Sequence, residues 1–212
     1  MQTIALIDYG SGNLRSAEKA LWRVADASDA AYQIHTTFDP DVVARADRLM
    51  LPGVGAFAAC MRALSAREGL IEAMGAAVKR GAPFLGVCVG MQLLATRGLE
   101  FGETAGLDWI PGDVAVIKPT DPRLKVPHMG WNDIAAETPH PLFAEAVGKD
   151  FYFTHSFAFT PADPGAVAAS VDHGGRFAAA VARDNIAGVQ FHPEKSQAEG
   201  LALIGRFLSW AP

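Results

Sequence analysis

Residues 83–92, PFLGVCVGMQ, place the strongest constraint on how this 212-residue chain folds. The apolar run predicts a buried strand, and the residues after Cys88 predict the start of a helix. A side chain at such a strand-to-helix turn is pushed out of the sheet, often on a strained backbone. Because the chain folds back on itself there, Gly86 and Gly90 have a steric reason to be glycine.

Cys88 is a candidate nucleophile at this turn. The first N–H groups of a helix are unpaired and its dipole is positive at that end, so both favour a thiolate. The local motif alone leaves an alternative open, in which the strand simply ends in glycine-rich packing around a buried cysteine.

Composition limits the other classes of function. A net charge of −5 without a basic run argues against a surface for nucleic acid or anionic membrane. No apolar run approaches the roughly 20 residues that cross a bilayer, and the N-terminus lacks a signal-peptide pattern. Cys60 and Cys88 do not make a disulfide framework, which favours a cytoplasmic enzyme. Half of the residues are hydrophobic, which suits a single domain over residues 1–212.

The first 110 residues predict alternating strands and helices. Two apolar segments end in glycine turns, GSGN at 10–13 and PGVGAF at 52–57, and a helical pattern follows each. The helix after Cys88 is predicted to run to about Arg97 and to end at Gly98. This repetition predicts an α/β fold with a mostly parallel sheet flanked by helices. GSGN lacks the third glycine of the dinucleotide fingerprint, so a nucleotide site is not favoured.

The C-terminal half predicts additional antiparallel strands. Strand patterns cover 112–118, 151–159, 166–171, 177–182 and 186–191, and the turns DHGG and RDN predict hairpins. Residues 125–132 are polar, aromatic and irregular. Ser196 and Glu199 form a capping-box pattern that opens the last helix.

His192 is the candidate base for Cys88. Pro193 favours an extended conformation at His192, so His192 and Glu194 project to the same side. Glu194 can then accept from one ring nitrogen and leave the other facing a thiol, as in a catalytic triad. A metal site is disfavoured, since no second His or Cys lies at ligand spacing. Of the other histidines, three fit solvated surface (His35, His140 and His173), and two fit hydrogen-bonded structure more often than catalysis (His128 and His155).

Two further features point to the same site. The glycines around Val54 allow a backbone N–H to approach a ligand, and with the N–H of Val89 it can bind an oxyanion. An ordinary βα turn is the alternative reading of that segment. Gln92 lies one turn from Cys88, so its amide can face the same pocket.

GVCVGMQ at 86–92, followed by FHPE at 191–194, resembles the class I glutamine amidotransferases. Four more segments narrow the resemblance to the glutaminase subunits of imidazole glycerol phosphate synthases: IDYGSGNL at 7–14, PGVGAF at 52–57, PHMGWN at 127–132 and YFTHSF at 152–157. The match runs in the expected order from Ile7 to Ser196. Val87, Val89 and Phe157 stand where Ile, Leu and Tyr are expected.

The resemblance implies a three-layer, flavodoxin-like fold and a defined reaction. Cys88 would attack the side-chain amide of L-glutamine to give a glutamyl thioester and ammonia, His192 would move protons, and Glu194 would orient His192. No cofactor is implied. The remaining implied roles are an oxyanion hole from backbone N–H groups (Val54, Gly55 and Val89), substrate contacts (Gln92, Glu100, Ser156 and Phe157) and a partner interface around the ammonia exit (Ser11, Asn13, Tyr152 and Lys195).

A partner chain is expected because the amidase-like pattern uses all 212 residues and leaves no second catalytic domain to consume ammonia. The resemblance implies a (β/α)8-barrel cyclase that makes imidazole glycerol phosphate and aminoimidazole carboxamide ribotide in histidine biosynthesis. Two alternatives stay open: a cysteine peptidase or γ-glutamyl hydrolase that needs no partner, and a non-catalytic binding module.

Overall fold

A computed structural model describes residues 1–212. It contains six α-helices and fourteen strands, with short 3₁₀ turns at Pro164–Ala166 and Pro193–Lys195. The helices are α1 (Leu14–Asp26), α2 (Pro40–Arg45), α3 (Phe57–Ser65), α4 (Leu70–Lys79), α5 (Val89–Gln92) and α6 (Gln197–Ser209). The strands are β1 (Gln2–Ile7), β2 (Tyr32–Thr37), β3 (Arg48–Gly53), β4 (Phe84–Cys88), β5 (Arg97–Gly98), β6 (Thr104–Ala105), β7 (Gly112–Val116), β8 (His128–Asp133), β9 (Ala135–Ala136), β10 (Asp150–His155), β11 (Phe157–Pro161), β12 (Val167–Asp172), β13 (Arg176–Arg183) and β14 (Ile186–Val189).

An eight-stranded sheet with the order β2-β1-β3-β4-β14-β13-β12-β9 forms the centre of the fold. The pairs from β2 through β14 are parallel. The pairs from β14 through β9 are antiparallel. Two smaller sheets, β11-β7-β5-β6 and β10-β8, cover the region beyond the end of β4. The predicted α/β architecture with added antiparallel strands is confirmed.

The central strands are buried because their sequences are apolar on both faces. Every residue of β3, β4 and β14 is buried, as expected for strands with helices on either side of the sheet. The apolar faces of α1 and α4 contribute Leu21 and Met74 to the same core. None of the helices is long and apolar enough to cross a membrane.

The helix after Cys88 is shorter than predicted and spans one turn, Val89–Gln92. The reason lies in a neighbouring loop, which takes the carbonyl groups that a longer helix would use. The carbonyl of Leu93 accepts from the Leu107 N–H at 2.8 Å, and that of Leu94 accepts from the Trp109 N–H at 2.9 Å. A loop 14 positions away thus replaces the local bonds, and Arg97 begins a strand instead. A helix of one turn has few aligned peptide units, so its dipole stabilises a thiolate at Cys88 less than a longer helix would.

Two other predictions for the C-terminal half are wrong. Residues 128–133 are a regular strand, β8, whose partner is β10. The predicted strand at 151–159 is broken at Ser156, because β10 pairs with β8 while β11 pairs with β7 in another sheet. The pairing partners lie far along the chain, so the local pattern carries no sign of either feature.

Candidate active site

Cys88 lies at the end of β4 on a strained backbone. Its φ is 55° and its ψ is −114°, a conformation that non-glycine residues rarely adopt. A Cβ atom at Gly86 would stand 2.5 Å from the carbonyl oxygen of Gly90, and one at Gly90 would stand 1.9 Å from that of Leu51. The elbow predicted from the sequence is therefore present, and both glycines are required by contacts with backbone.

His192 and Glu194 lie at the end of the neighbouring chain segment that follows β14. The Nδ1 atom of His192 is 2.9 Å from Oε1 of Glu194, and the two side chains are 2 % and 4 % exposed. Because a carboxylate only accepts, Nδ1 is the donor and Nε2 remains for the thiol. The structure thus brings together the three residues predicted for the triad.

The electrostatic surroundings of His192 favour its protonated form. Burial by itself lowers the pKa of His192, but hydrogen bonds and charges from Cys88 and Glu194 outweigh burial and raise that pKa to about 9. An imidazole with a raised pKa is well suited to take the proton of a thiol.

Ser196 fixes the backbone of His192 instead of capping α6. Its Oγ donates to the His192 carbonyl at 2.6 Å and accepts from the Tyr152 N–H at 3.0 Å. The N–H of His192 in turn donates to the Tyr152 carbonyl at 2.9 Å. The predicted capping box is therefore wrong, because tertiary partners occupy the hydroxyl group.

Gln190 is a site residue that the sequence analysis missed. This fully buried side chain places Nε2 3.7 Å from the Cys88 sulfur and accepts from Nε2 of Gln92 at 2.9 Å. The available signal was a polar residue within an otherwise apolar run shortly before His192. Such a residue needs a buried partner, because an unpaired amide in a core is costly.

A cavity of about 420 Å³ opens above Cys88. The predicted residues that line it are Val54, Gly55, Cys88, Val89, Gln92, Glu100, Ser156, Phe157, His192 and Lys195. Pro127, Thr154 and His155 line it as well and were not predicted. No group of three or more His, Cys, Asp and Glu side chains is arranged to hold a metal ion.

The predicted substrate contacts carry internal hydrogen bonds that orient them. Gln92 donates from Nε2 to the Phe157 carbonyl at 3.0 Å as well as to Gln190, which leaves its Oε1 as the group for a ligand. Glu100 accepts from the Phe57 N–H at the start of α3 at 2.8 Å through Oε2, which leaves Oε1. Two acceptor oxygens therefore remain, which suits a ligand that carries N–H groups.

The backbone N–H and the carbonyl of Val54, which belong to successive peptides, both face Ser11. The Val54 N–H donates to Ser11 Oγ at 3.4 Å, while the Val54 carbonyl accepts from the same hydroxyl at 2.9 Å and from the Cys60 thiol at 3.3 Å. The N–H predicted to bind an oxyanion is thus engaged elsewhere. That N–H belongs to the Gly53–Val54 peptide, whereas Gly55, with a φ of 96°, gives conformational freedom to the next peptide, which carries the Val54 carbonyl and the Gly55 N–H.

Of the residues predicted for a partner interface, Ser11, Asn13 and Lys195 follow strands of the central sheet, and Tyr152 lies in β10, whose carbonyl at this residue accepts from His192. Ser11 and Asn13 follow β1, and Asn13 begins α1 through its carbonyl without a side-chain cap. Lys195 Nζ lies 5.8 Å from the centre of the Tyr152 ring, and that ring packs edge-on against Trp131 at 6.0 Å. This placement agrees with the rule that ligands bind at the carboxyl ends of parallel strands.

Comparisons with known proteins agree with one another. A family model described as glutamine amidotransferase class-I matches residues 5–209. The imidazole glycerol phosphate synthase subunit HisH of Caulobacter vibrioides is 61% identical, with 100% of both chains covered. The protein of the same name from Rhodospirillum rubrum is 54% identical, with 99% of both chains covered. A crystal structure titled glutamine amidotransferase shares the fold with a TM-score of 0.70 at 18% identity, covering 97% of both chains.

Proposed function

The chain belongs to the class I glutamine amidotransferases, and on this basis we propose that it is the glutaminase subunit of an imidazole glycerol phosphate synthase in histidine biosynthesis. The observation that carries the proposal is the buried Glu194–His192 pair beside a thiol on a strained elbow. In this proposal residues 1–212 act as one domain, which agrees with the continuous core of 59 buried residues.

The proposed chemistry starts with transfer of the Cys88 proton to Nε2 of His192. The sulfur attacks the side-chain amide carbon of L-glutamine, and the carbonyl oxygen becomes an oxyanion. The intermediate then collapses, the C–N bond breaks, and the imidazolium gives its proton to the departing nitrogen, so ammonia leaves and a glutamyl thioester remains. Water, deprotonated by His192, cleaves the thioester and returns the thiol.

The residues around the reacting atoms orient His192, stabilise the thiolate and bind glutamine. Glu194 holds the imidazole tautomer and stabilises its positive charge, as a triad carboxylate does. The Gln190 amide, 3.7 Å from the sulfur, stabilises a thiolate. Glu100 and Gln92 offer their free oxygens to the ammonium group of glutamine, and the backbone at Ser156 and Phe157 borders the same cavity.

The oxyanion hole of the proposal uses the N–H groups of Val89 and of the Val54–Gly55 segment. Because the Val54 N–H points to Ser11, the Gly53–Val54 peptide must rotate before that N–H can contribute. The Gly55 N–H shares the next peptide with the Val54 carbonyl, so turning that peptide would break the contacts of the carbonyl with Ser11 and Cys60. A partner or ligand that binds the rotated backbone more tightly than the unrotated one can supply the required free energy. A ligand shifts such an equilibrium by the difference between its affinities for the two conformations.

The partner of the proposal is a (β/α)8-barrel cyclase that docks on the edge bearing Ser11, Asn13, Tyr152 and Lys195 and receives the ammonia. Support comes from large side chains exposed beside the site: Trp131 is 48% exposed, Met129 63% and Val54 40%. Aromatic and Met side chains are enriched at protein–protein interfaces.

Substitution of the nucleophile tests the proposal. Cys88→Ala removes the attacking sulfur, so glutamine-dependent synthesis by the complex with the cyclase should fall to the background rate. Added ammonia enters after the missing step and should support synthesis at the rate of the unsubstituted complex. Ammonia release from glutamine by Cys88→Ala at more than a few per cent of the normal rate would contradict the role of Cys88.

A further inference from the structure

Three histidines that the proposed chemistry does not use meet beside the cavity. Nδ1 of His128 lies 3.0 Å from Nε2 of His155, and the two residues are 3 % and 6 % exposed. The His128 ring is held between two others: Phe153 stacks at 4.8 Å between ring centres, and His173 stacks at 4.2 Å. The plane of His128 is therefore fixed by packing, whatever its hydrogen bonds.

The hydrogen bonds around this pair have a single consistent direction. His155 Nδ1 lies 2.9 Å from the Phe157 carbonyl, and because a carbonyl only accepts, Nδ1 carries the proton. A neutral ring then leaves His155 Nε2 as an acceptor, so the proton between the rings belongs to His128 Nδ1. The remaining nitrogen, His128 Nε2, must accept, and it lies 3.3 Å from Nδ2 of Asn132.

Asn132, the first donor in this series of hydrogen bonds, is itself held by a backbone carbonyl. The same Asn132 nitrogen donates to the carbonyl of Asp172 at 2.8 Å, at the end of β12. An amide nitrogen has two protons, so both contacts are satisfied at once. The direction therefore runs without conflict from Asn132 through His128 and His155 to Phe157.

Burial keeps the rings of His128 and His155 neutral, as this direction of the hydrogen bonds requires. It lowers the pKa of His155 to about 4, although the bond to the Phe157 carbonyl opposes the shift. Burial, together with the neighbouring His155 and His173, likewise lowers the pKa of His128 to about 4.

The Phe157 carbonyl is where this chain meets the site. It accepts from His155 and, at 3.0 Å, from Nε2 of Gln92, whose amide also reaches Gln190 beside the Cys88 sulfur. Phe157 begins β11 directly after the break at Ser156, and the Ser156 carbonyl accepts from the Ile117 N–H at 2.9 Å. The Phe157 carbonyl instead accepts from the side chains of His155 and Gln92, so Gln92 is oriented through it.

We propose that His128 and His155 are positioning residues for glutamine binding, forming with Asn132 a one-way relay of hydrogen bonds that fixes the Phe157 carbonyl and thereby Gln92. Neither ring exchanges a proton with substrate in this role. The inference rests on the proposed glutaminase function for its kinetic consequence, but the direction of the relay is a property of the folded chain alone.

The tautomers can be measured without any substitution. Two-bond ¹⁵N–¹H correlation spectra of the folded protein at pH 7 distinguish protonated from unprotonated ring nitrogens. We expect His128 and His155 to be neutral and both to carry the proton on Nδ1. A proton on Nε2 of either ring, or a charged ring, would overturn the relay.

The kinetic consequence is tested by two side chains of nearly equal shape. His155→Leu removes the donor to Phe157, whereas the amide of His155→Asn replaces Nδ1 as donor. Loss of this hydrogen bond predicts a roughly ten-fold higher KM for glutamine in the Leu variant of the complex, which corresponds to about 1.4 kcal/mol. The Asn variant should stay within about three-fold of normal KM, and kcat should change less than KM in both.

Controls separate this role from general destabilisation. His35→Asn, on the outer strand β2, should leave KM unchanged, and ammonia-dependent synthesis should be normal in all variants. Equal KM values for His155→Leu and the unsubstituted complex would overturn the positioning role. If His155→Leu does not fold, the tautomer spectra decide. If the unsubstituted complex hydrolyses no glutamine, the proposed function fails while the spectra still test the relay.

Discussion

The nucleophile and its base are held in place by opposite means. Cys88 is positioned by its backbone, which folds at a φ of 55° between glycines that approach other backbone atoms. His192 has an ordinary extended backbone, with a φ of −102°, and is positioned by hydrogen bonds to Glu194, Ser196 and Tyr152. The position of Cys88 therefore depends on the small volume of its neighbouring glycines, and the position of His192 depends on its hydrogen-bond partners.

This difference determines which substitutions each end tolerates. At the elbow, a single added methyl group has no space, because the nearest atoms are carbonyl oxygens that cannot change rotamer. At the base, loss of a hydroxyl or carboxylate removes a hydrogen-bond partner from buried groups. The following predictions test that division, beginning with the largest expected effect.

Gly90→Ala should disrupt the elbow. The added Cβ would stand 1.9 Å from the Leu51 carbonyl oxygen, so β3 and α5 must separate. Overpacking against fixed atoms lowers the free energy of unfolding by about 1–3 kcal/mol or more. We expect a loss of at least about 3 kcal/mol here, because the nearest atoms belong to the backbone. Urea unfolding measures the change in the free energy of unfolding.

Gly75→Ala is the matched control for this substitution. Gly75 lies inside α4, and no atom lies within 4 Å of a Cβ built there. Replacing glycine by alanine in a helix should increase the free energy of unfolding by about 0.5–1 kcal/mol. Similar losses in both variants would contradict the view that crowding at the elbow is special.

Ser196→Ala should weaken the base end without any steric clash. The substitution leaves the partly buried N–H of Tyr152 without its partner, and the carbonyl of His192 keeps only the Lys195 N–H, at 3.0 Å. The expected loss is about 2 kcal/mol of unfolding free energy, together with a lower glutaminase rate as His192 loses its position.

Ser209→Ala provides the comparison for that hydroxyl. Its Oγ bonds to carbonyl groups at the exposed end of α6, so water can replace it. The unfolding free energy should change by less than about 0.5 kcal/mol. Equal effects of the two serine substitutions would show that Ser196 does not hold His192.

Glu194→Gln should change the pH dependence of stability. Because the fold raises the pKa of His192 to about 9, protonation of His192 stabilises the folded state. That contribution is complete below the unfolded value of about 6.5 and is lost as the pH rises through about 9, with a slope of at most about 1.4 kcal/mol per pH unit. Removing the carboxylate should lower the pKa of His192 and flatten this slope.

Imidazole NMR titration and unfolding curves between pH 6 and about 9.5 measure both quantities. Ser209→Ala serves again as the control, since it lies far from the triad and should leave the slope unchanged. A His192 pKa that stays near 9 in Glu194→Gln would show that the carboxylate does not set it.

The parallel half of the fold was largely predictable from the sequence. Its central strands are buried on both faces, and a helix follows each of the two glycine turns as predicted, α1 after GSGN and α3 at the end of PGVGAF. The same local chemistry identified Cys88 and paired His192 with Glu194, although the extended conformation ends at His192 and Pro193–Lys195 form a 3₁₀ turn. The roles of the residues at the cavity stay predictions until the substitutions are made.

The sequence failed where a distant segment supplies the hydrogen-bond partners. The carbonyls of Leu93 and Leu94 bond to residues 107–109, so a helix predicted to reach Arg97 stops at Gln92. Ser196 bonds to Tyr152 rather than to its own helix. His128 and His155 were assigned to hydrogen-bonded structure, but their contact with one another spans 27 positions.

The sequence by itself determined that Cys88 stands at a glycine-flanked elbow, because an apolar strand, its glycines and the start of a helix are local patterns of the chain. Only the tertiary structure decided which groups orient the site. Three of these contacts join segments that are distant in the chain. They are the Val54 N–H turned to Ser11, the amide of Gln190 at the sulfur, and the relay through His128. A hydrogen bond requires its donor and acceptor to meet within about 3 Å, and the whole fold is needed to satisfy that condition for residues so far apart.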